Sequence, residues 1–366
     1  MKKIKTRWTV RTVALSEIVL CSILLAGCGG SSSNSSASSA ATSEAAASTG
    51  PGSTDSKTCS VPYGDAPRPL TDSLDGLLAV TNICLTVGGE MLNYTDAYGE
   101  ARAACAVIPK TATPQTPLPM VVWLHPSLFP IDSIDLTGFL VAKSNADLTG
   151  DPARQGFILL LPAGRDTQHI YPFPDNTGLG WDNWYRNLDR SSGSLNVDAE
   201  AIDHFIGAMT SRGVVDTDRI YMSGWSNGAS MALLYALNTP QIAAAAVYSA
   251  PAPYSDINDP CAQSPFASVQ TPIYDIHNSC DIIGTCQTGQ QFHKDLAQRY
   301  PSLQQQLVIV DALKNPTADQ TCVASCASSA IVPGELSPGT VNHLVWPINR
   351  NQDMFTFLRE HPLHGK

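Results

Sequence analysis

The chain has 366 residues, of which 43% are hydrophobic and only 15% charged, enough apolar material for a large buried core. Its formal net charge is −10, and the first 27 residues carry +4 (Lys2, Lys3, Lys5, Arg7 and Arg11 against Glu17), which leaves −14 for the rest. An acidic body of that kind excludes nucleic acid as a partner, since phosphates need Lys and Arg, and excludes electrostatic docking on anionic lipid.

Residues 1–27 read as a secretion signal: a basic stretch to Arg11, then a short apolar run interrupted by Ser16 and Glu17, too short for a comfortable membrane span. It ends in Leu25-Ala26-Gly27-Cys28, which resembles a bacterial lipobox. That resemblance implies lipidation of Cys28, an extracytoplasmic location and a membrane held through the N-terminal lipid. Residues 28–58 are rich in Ser, Ala, Thr and Gly and cannot bury enough apolar area to fold, so they read as a flexible tether. Residues 59–366 read as one catalytic domain. Eight cysteines fall in it: Cys59, Cys84, Cys105, Cys261, Cys280, Cys286, Cys322 and Cys326. An even number in an oxidising compartment points to disulfides, and short spacing favours the local pairs Cys280–Cys286 and Cys322–Cys326. No Cys-x-x-Cys pair with a matching His set suggests zinc, and no metal or cofactor is expected.

Along the domain, apolar runs predict strands at 101–109, 120–124, 156–161, 216–222, 242–248, 272–276 and 306–310. Helical spacing appears at 197–209, 229–237 and 290–300, with a terminal helix after residue 347. Strand–helix alternation predicts an α/β fold, a mostly parallel central sheet with helices on both faces.

Gly224-Trp225-Ser226-Asn227-Gly228 stands between a predicted strand and a predicted helix. This is G-x-S-x-G in the strand–turn–helix setting that an exposed nucleophilic serine requires, and it makes the fold an α/β-hydrolase. The helix start behind Ser226 offers unpaired N–H groups to a developing oxyanion. In this fold the acid and the histidine follow the serine in that order. Of the later histidines, His343 lies between the last predicted strand and the terminal helix. His293 sits in a helix as a surface or packing residue, and His361 and His364 are in the tail. Asp281 follows the strand at 272–276 in a tight loop and is the candidate acid. Asp275 lies within that strand as a structural polar residue, and Asp311 is the runner-up.

Asp216-Thr-Asp-Arg-Ile-Tyr-Met-Ser-Gly-Trp-Ser-Asn-Gly228 resembles the nucleophile region of the extracellular poly(3-hydroxybutyrate) depolymerase and feruloyl/acetylxylan esterase family. Leu124-His125 is similar to its oxyanion loop, Asn196–Asp203 to its Val-Asp-Asp-Val helix start, and His343 with Trp346-Pro347 to its His-x-Trp-Pro element. Pro126 replaces the glycine after the loop histidine and has no N–H to donate. The oxyanion donors implied are therefore the N–H groups of Ser127 and Asn227. The His element also carries one extra residue.

The stretch from Arg165 to Arg190 holds Tyr171, Phe173, Trp181, Trp184 and Tyr185, and Trp225 adjoins the nucleophile. Trp181, Trp184 and Trp225 are the candidate substrate-binding rings of an apolar or aryl-binding cleft. The expected activity is a secreted serine esterase acting on a hydrophobic polyester or an aryl ester. Competing readings are an acetylxylan esterase, a serine peptidase and a non-catalytic surface binding module.

Overall fold

Among the described residues helix α1 (Leu74–Val87) comes first and leads into the hairpin β1 (Glu90–Thr95) and β2 (Ala101–Val107). There follow β3 (Leu118–Leu124), the short helix α2 (Phe139–Ala142), β4 (Ile158–Pro162) and a small hairpin, β5 (Arg165–Thr167) with β6 (Gly178–Gly180). Next come α3 (Val197–Thr210), β7 (Val215–Trp225), α4 (Asn227–Ala236), β8 (Ala244–Tyr248) and β9 (Ile273–Asn278). The chain continues through α5 (Thr285–Arg299), β10 (Gln305–Val310), α6 (Pro338–His343) and α7 (Asn351–Glu360). This computed structural model describes residues 74–127, 129, 131–167, 178–183, 185–254, 267–281, 285–311, 313, 320–323 and 338–364, all within the unit Ser53–Ala330 and Ser337–Lys366. The signal, the tether, Cys28 and Trp184 lie outside the described residues.

The main sheet has eight strands in the order β1-β2-β4-β3-β7-β8-β9-β10. Only β2 runs against its neighbours; β4, β3, β7, β8, β9 and β10 pair parallel throughout. That order, with crossover helices between parallel strands, is the α/β-hydrolase fold. Period-two alternation divides the core into two layers. Met120 and Val122 of β3 and Val247 of β8 face α3, α4 and α5. Val121 and Trp123 of β3 and Tyr248 of β8 face α1, α2 and α7. The strands are apolar on both faces because both are covered.

Helix α1 and strand β1 went unread in the sequence, although Val80, Ile83 and Cys84 have helical spacing and are buried. The local disulfide expectation is overturned. Cys84 pairs with Cys105, tying α1 to β2, and Cys286 pairs with Cys322 across 36 residues. Cys280 is in a separate disulfide. The reason is topological: β10 lies beside β9, and the chain after β10 folds back so that Val323 N–H donates to Ser279 O. Cys322 is thereby delivered to the first turn of α5.

Candidate active site

Strand β7 ends at Trp225, and Ser226 forms the turn into α4 with φ 55° and ψ −123°. A positive φ is costly for a residue with a Cβ and persists only where the surroundings impose it. Here they do: Ser226 N–H donates to Tyr248 O at 3.0 Å, and Ser230 N–H to Ser226 O at 3.0 Å. The turn also needs its two glycines. A Cβ on Gly224 would stand 2.6 Å from Gly228 O, and one on Gly228 would stand 2.3 Å from Leu124 O. The start of α4 therefore packs directly on the tip of β3.

Parallel strands end on one side of the sheet, and there the site gathers. The Ser226 hydroxyl donates to His343 Nε2 at 2.8 Å, and His343 Nδ1–H donates to Asp281 Oδ1 at 2.7 Å. Ser226 ends β7, Asp281 follows β9, and His343 ends the short helix α6, a helix where the sequence suggested a loop. All three side chains are buried, so the two hydrogen bonds run in a low-dielectric setting that strengthens them.

The backbone around His343 is held from beneath. Trp225 Nε1–H donates to His343 O at 3.0 Å, Tyr248 OH to Val345 O at 2.7 Å, and Asn278 Nδ2–H to Asn342 O at 2.7 Å. The other oxygen of Asp281 accepts a hydrogen bond from the Ser249 hydroxyl. Tyr248, Asn278 and Ser249 went unread in the sequence. Their roles depend on the sheet register, which places the tips of β7, β8 and β9 side by side.

His125, just past β3, accepts from Gly164 N–H at Nε2 (2.8 Å) and donates from Nδ1–H to Pro126 O (2.9 Å). Burial pushes its pKa down to about 4, so the ring stays neutral and both bonds persist. His125 thus fixes the turn that carries Ser127. Ser127 is buried, and its hydroxyl has no hydrogen-bond partner among the described residues. The Asn227 side chain accepts from Trp181 N–H at 2.7 Å and donates to Trp181 O and Asn183 Oδ1, each at 3.0 Å. It thereby stitches the segment after β6 to the turn. Deeper still, Asp198 pairs with Arg102 at 2.5 Å and Arg165 at 3.8 Å and accepts from Asp182 N–H. Burial alone would raise the Asp198 carboxyl, but the two guanidinium groups outweigh it and hold the group below its ordinary range.

Two of the expected substrate rings are corrected. Trp181 is fully buried in the core, with Nε1–H donating to His125 O at 2.9 Å. Trp225 is 2% exposed and packs against Tyr248 and Trp346. Both act as struts, because the strand tips they occupy are covered on each side. Asp275 is buried within β9, as read. His293, read as a surface or packing residue, is a packing one: it is buried against that strand and shares Asp275 Oδ2 with His277. Asp311 stands at the end of β10, where its carboxylate accepts from Leu313 N–H.

Residues 180–317 match a family model described as phospholipase/carboxylesterase. The match includes Ser226 and Asp281 and stops before His343. No curated protein sequence matches the chain. Among solved structures, a Porphyromonas gingivalis dipeptidyl peptidase 4 is 12% identical with a TM-score of 0.36, over 60% of this chain and 31% of that one. A thermostable esterase is 15% identical with a TM-score of 0.43, over 78% and 64%. An S-formylglutathione hydrolase from Agrobacterium tumefaciens is 11% identical with a TM-score of 0.48, over 75% and 96%. The chain thus spans less than two thirds of the length of the first two.

Proposed function

We propose that the chain is a serine hydrolase of carboxylic esters. The observation that carries this reading is the continuous line of hydrogen bonds Ser226–His343–Asp281, with the serine on a strained strand-to-helix turn. The carboxylesterase description of the matching family model supports it. In the reaction, His343 Nε2 takes the hydroxyl proton as Ser226 Oγ bonds to the ester carbonyl carbon. Asp281 holds the ring in the tautomer with hydrogen on Nδ1 and stabilises the imidazolium. The carbonyl oxygen becomes an oxyanion between the N–H groups of Ser127 and Asn227, a pairing supported by the close approach of the β3 tip to the start of α4. The alcohol leaves with the proton from His343. Water then attacks the acyl-serine by the same route, releasing the acid and restoring the serine.

Within this class, the proposed substrate is a hydrophobic polyester or an aryl ester, acted on outside the cytoplasm by an enzyme tethered through lipid on Cys28. The lipobox-like signal and the family resemblance around Ser226 support this.

Ser226→Ala and His343→Ala should each lower ester turnover by roughly 10⁴-fold or more with folding retained, because such residues act as a unit. Steady-state hydrolysis of nitrophenyl acetate, with labelling of Ser226 by a fluorophosphonate probe, measures this. Unlabelled protein, or a silent His343→Ala, would refute the serine-hydrolase reading. A damaging Asp311→Asn beside a silent Asp281→Asn would move the acid to Asp311. A panel of aryl esters, polyester films, acetylated xylan and peptides tests the substrate class. Fastest turnover of acetylated xylan or a peptide would overturn it.

A further inference from the structure

The tips of β7 and β8 repeat one arrangement. In register, Trp225 lies opposite Tyr248, and each is followed by a serine. Those two serines, Ser226 with φ 55° and Ser249 with φ 51°, are the only non-glycine residues of positive φ among the described residues. Each aromatic ring anchors the backbone of the segment carrying His343: Trp225 through His343 O, Tyr248 through Val345 O. Each serine has its N–H tied to the next strand, Ser226 to Tyr248 O at 3.0 Å and Ser249 to Ile276 O at 2.7 Å. The hydroxyls then address successive members of one line. Ser226 reaches His343 Nε2, and Ser249 donates to Asp281 Oδ2 at 2.5 Å, the carboxylate oxygen that His343 does not use.

We infer that Ser249 is a positioning residue of the site, whose hydroxyl fixes the rotation of the Asp281 carboxylate so that Oδ1 faces His343. The inference rests on the triad reading above. Three facts carry it. Ser249 is fully buried, so its hydroxyl must find a partner inside the protein, and a carboxylate is the strongest acceptor in reach. Its backbone stands in a conformation that glycine would adopt more cheaply, yet a serine occupies it. Asp281 lies beyond the end of β9 in a loop, where no ladder of backbone bonds aligns its side chain. With Oδ2 held by Ser249 and Oδ1 by His343 Nδ1–H, the carboxylate has one orientation. Without the hydroxyl it can rotate, and the imidazole loses the partner that sets its tautomer.

Ser249→Gly is the decisive variant, because glycine accepts the positive φ while removing the hydroxyl. It should fold with a Tm no lower than the parent, keep KM for nitrophenyl acetate, and lose about 10- to 100-fold in kcat, the range of one hydrogen bond to a charged group. Ser249→Thr keeps a hydroxyl and should retain more of kcat than Ser249→Gly. In an Asp281→Asn background, Ser249→Gly should add little further loss, because it acts through that carboxylate. A parental kcat in Ser249→Gly beside a crippled Asp281→Asn would overturn the assignment of Ser249 and leave the triad standing. Multiplicative losses in the double variant would also overturn it. A silent Asp281→Asn would overturn both readings.

Discussion

His125 shows how one buried side chain can serve geometry without taking part in chemistry. Its two ring nitrogens are spent on Gly164 N–H and Pro126 O, so it holds the β3 turn only while neutral. Burial lowers its pKa from 6.5 to about 4. Between those values the unfolded chain binds a proton that the folded chain refuses, so stability rises with pH across that window. The contribution is complete above about pH 6.5 and is lost as pH falls toward 4, by about 3 kcal/mol for a shift of that size. His125→Gln, which keeps a donor and an acceptor but does not titrate, should flatten the dependence of the urea midpoint on pH between 4 and 6.5. An unchanged slope would mean that the acid sensitivity arises elsewhere. His125 was legible in the sequence as part of an oxyanion-loop motif, but its hydrogen bond to Gly164 was not, since 39 residues separate them.

At the scale of elements, helix α5 and strand β9 are joined by a buried polar cluster rather than by apolar contact alone. Asp275 Oδ2 accepts from His277 Nε2 at 3.0 Å and from His293 Nε2 at 3.3 Å, while His293 Nδ1 meets Gln305. Burial opposes the charge on His277, but the Asp275 carboxylate outweighs it, with a further pull from Asp281, so the ring titrates above its ordinary value. Burial likewise opposes the Asp275 charge, and His277 and His293 outweigh it, holding that carboxyl below its ordinary value. The signs set a window. The Asp275 contribution is present above about pH 4 and lost on further acidification; the His277 contribution is present below about pH 6.5 and lost as pH rises through the folded value. Thermal unfolding should therefore show stability falling as pH rises above about 6.5, and His277→Gln should remove that fall. A fall above that pH that survives the substitution would exclude the cluster as its cause. The helix approaches closely enough that a Cβ on Gly289 would stand 2.4 Å from His277 Nε2. The strand and the helix were each legible from apolar spacing. Their polar join was not, because Asp275 and His293 are 18 residues apart and polar residues carry no period.

For the whole molecule, what could be read in advance followed from repetition along the chain, and what could not followed from closure across it. Buried strands announce themselves as apolar runs, and the turn of the candidate nucleophile announces itself by two glycines that steric contact demands. The candidate histidine and acid could be ranked because the fold fixes their order. Trp181 and Trp225 could not be told apart from cleft-lining rings, since a buried and an exposed tryptophan look alike in sequence. The disulfides were misread for the same reason: pairing follows the neighbourhood of β9 and β10, not spacing. That pairing makes a distinction that can be measured. Cys286–Cys322 closes a loop of 36 residues and Cys84–Cys105 one of 21, so loop entropy assigns them about 4 and about 3 kcal/mol respectively. Removing either pair by double Cys→Ala substitution should lower Tm, on the order of 10 °C. Their effects on turnover should differ. Cys322 adjoins Val323, whose N–H donates to Ser279 O two residues before Asp281, whereas Cys84–Cys105 pins α1 to β2, which four strands separate from β9 in the sheet. Cys286→Ala with Cys322→Ala should therefore reduce kcat on nitrophenyl acetate several-fold at a temperature where the variant is fully folded, with Cys84→Ala and Cys105→Ala leaving kcat near the parent. Equal kcat in both double variants, at matched fractions folded, would show that the loop carrying Asp281 draws nothing from the Cys286–Cys322 disulfide.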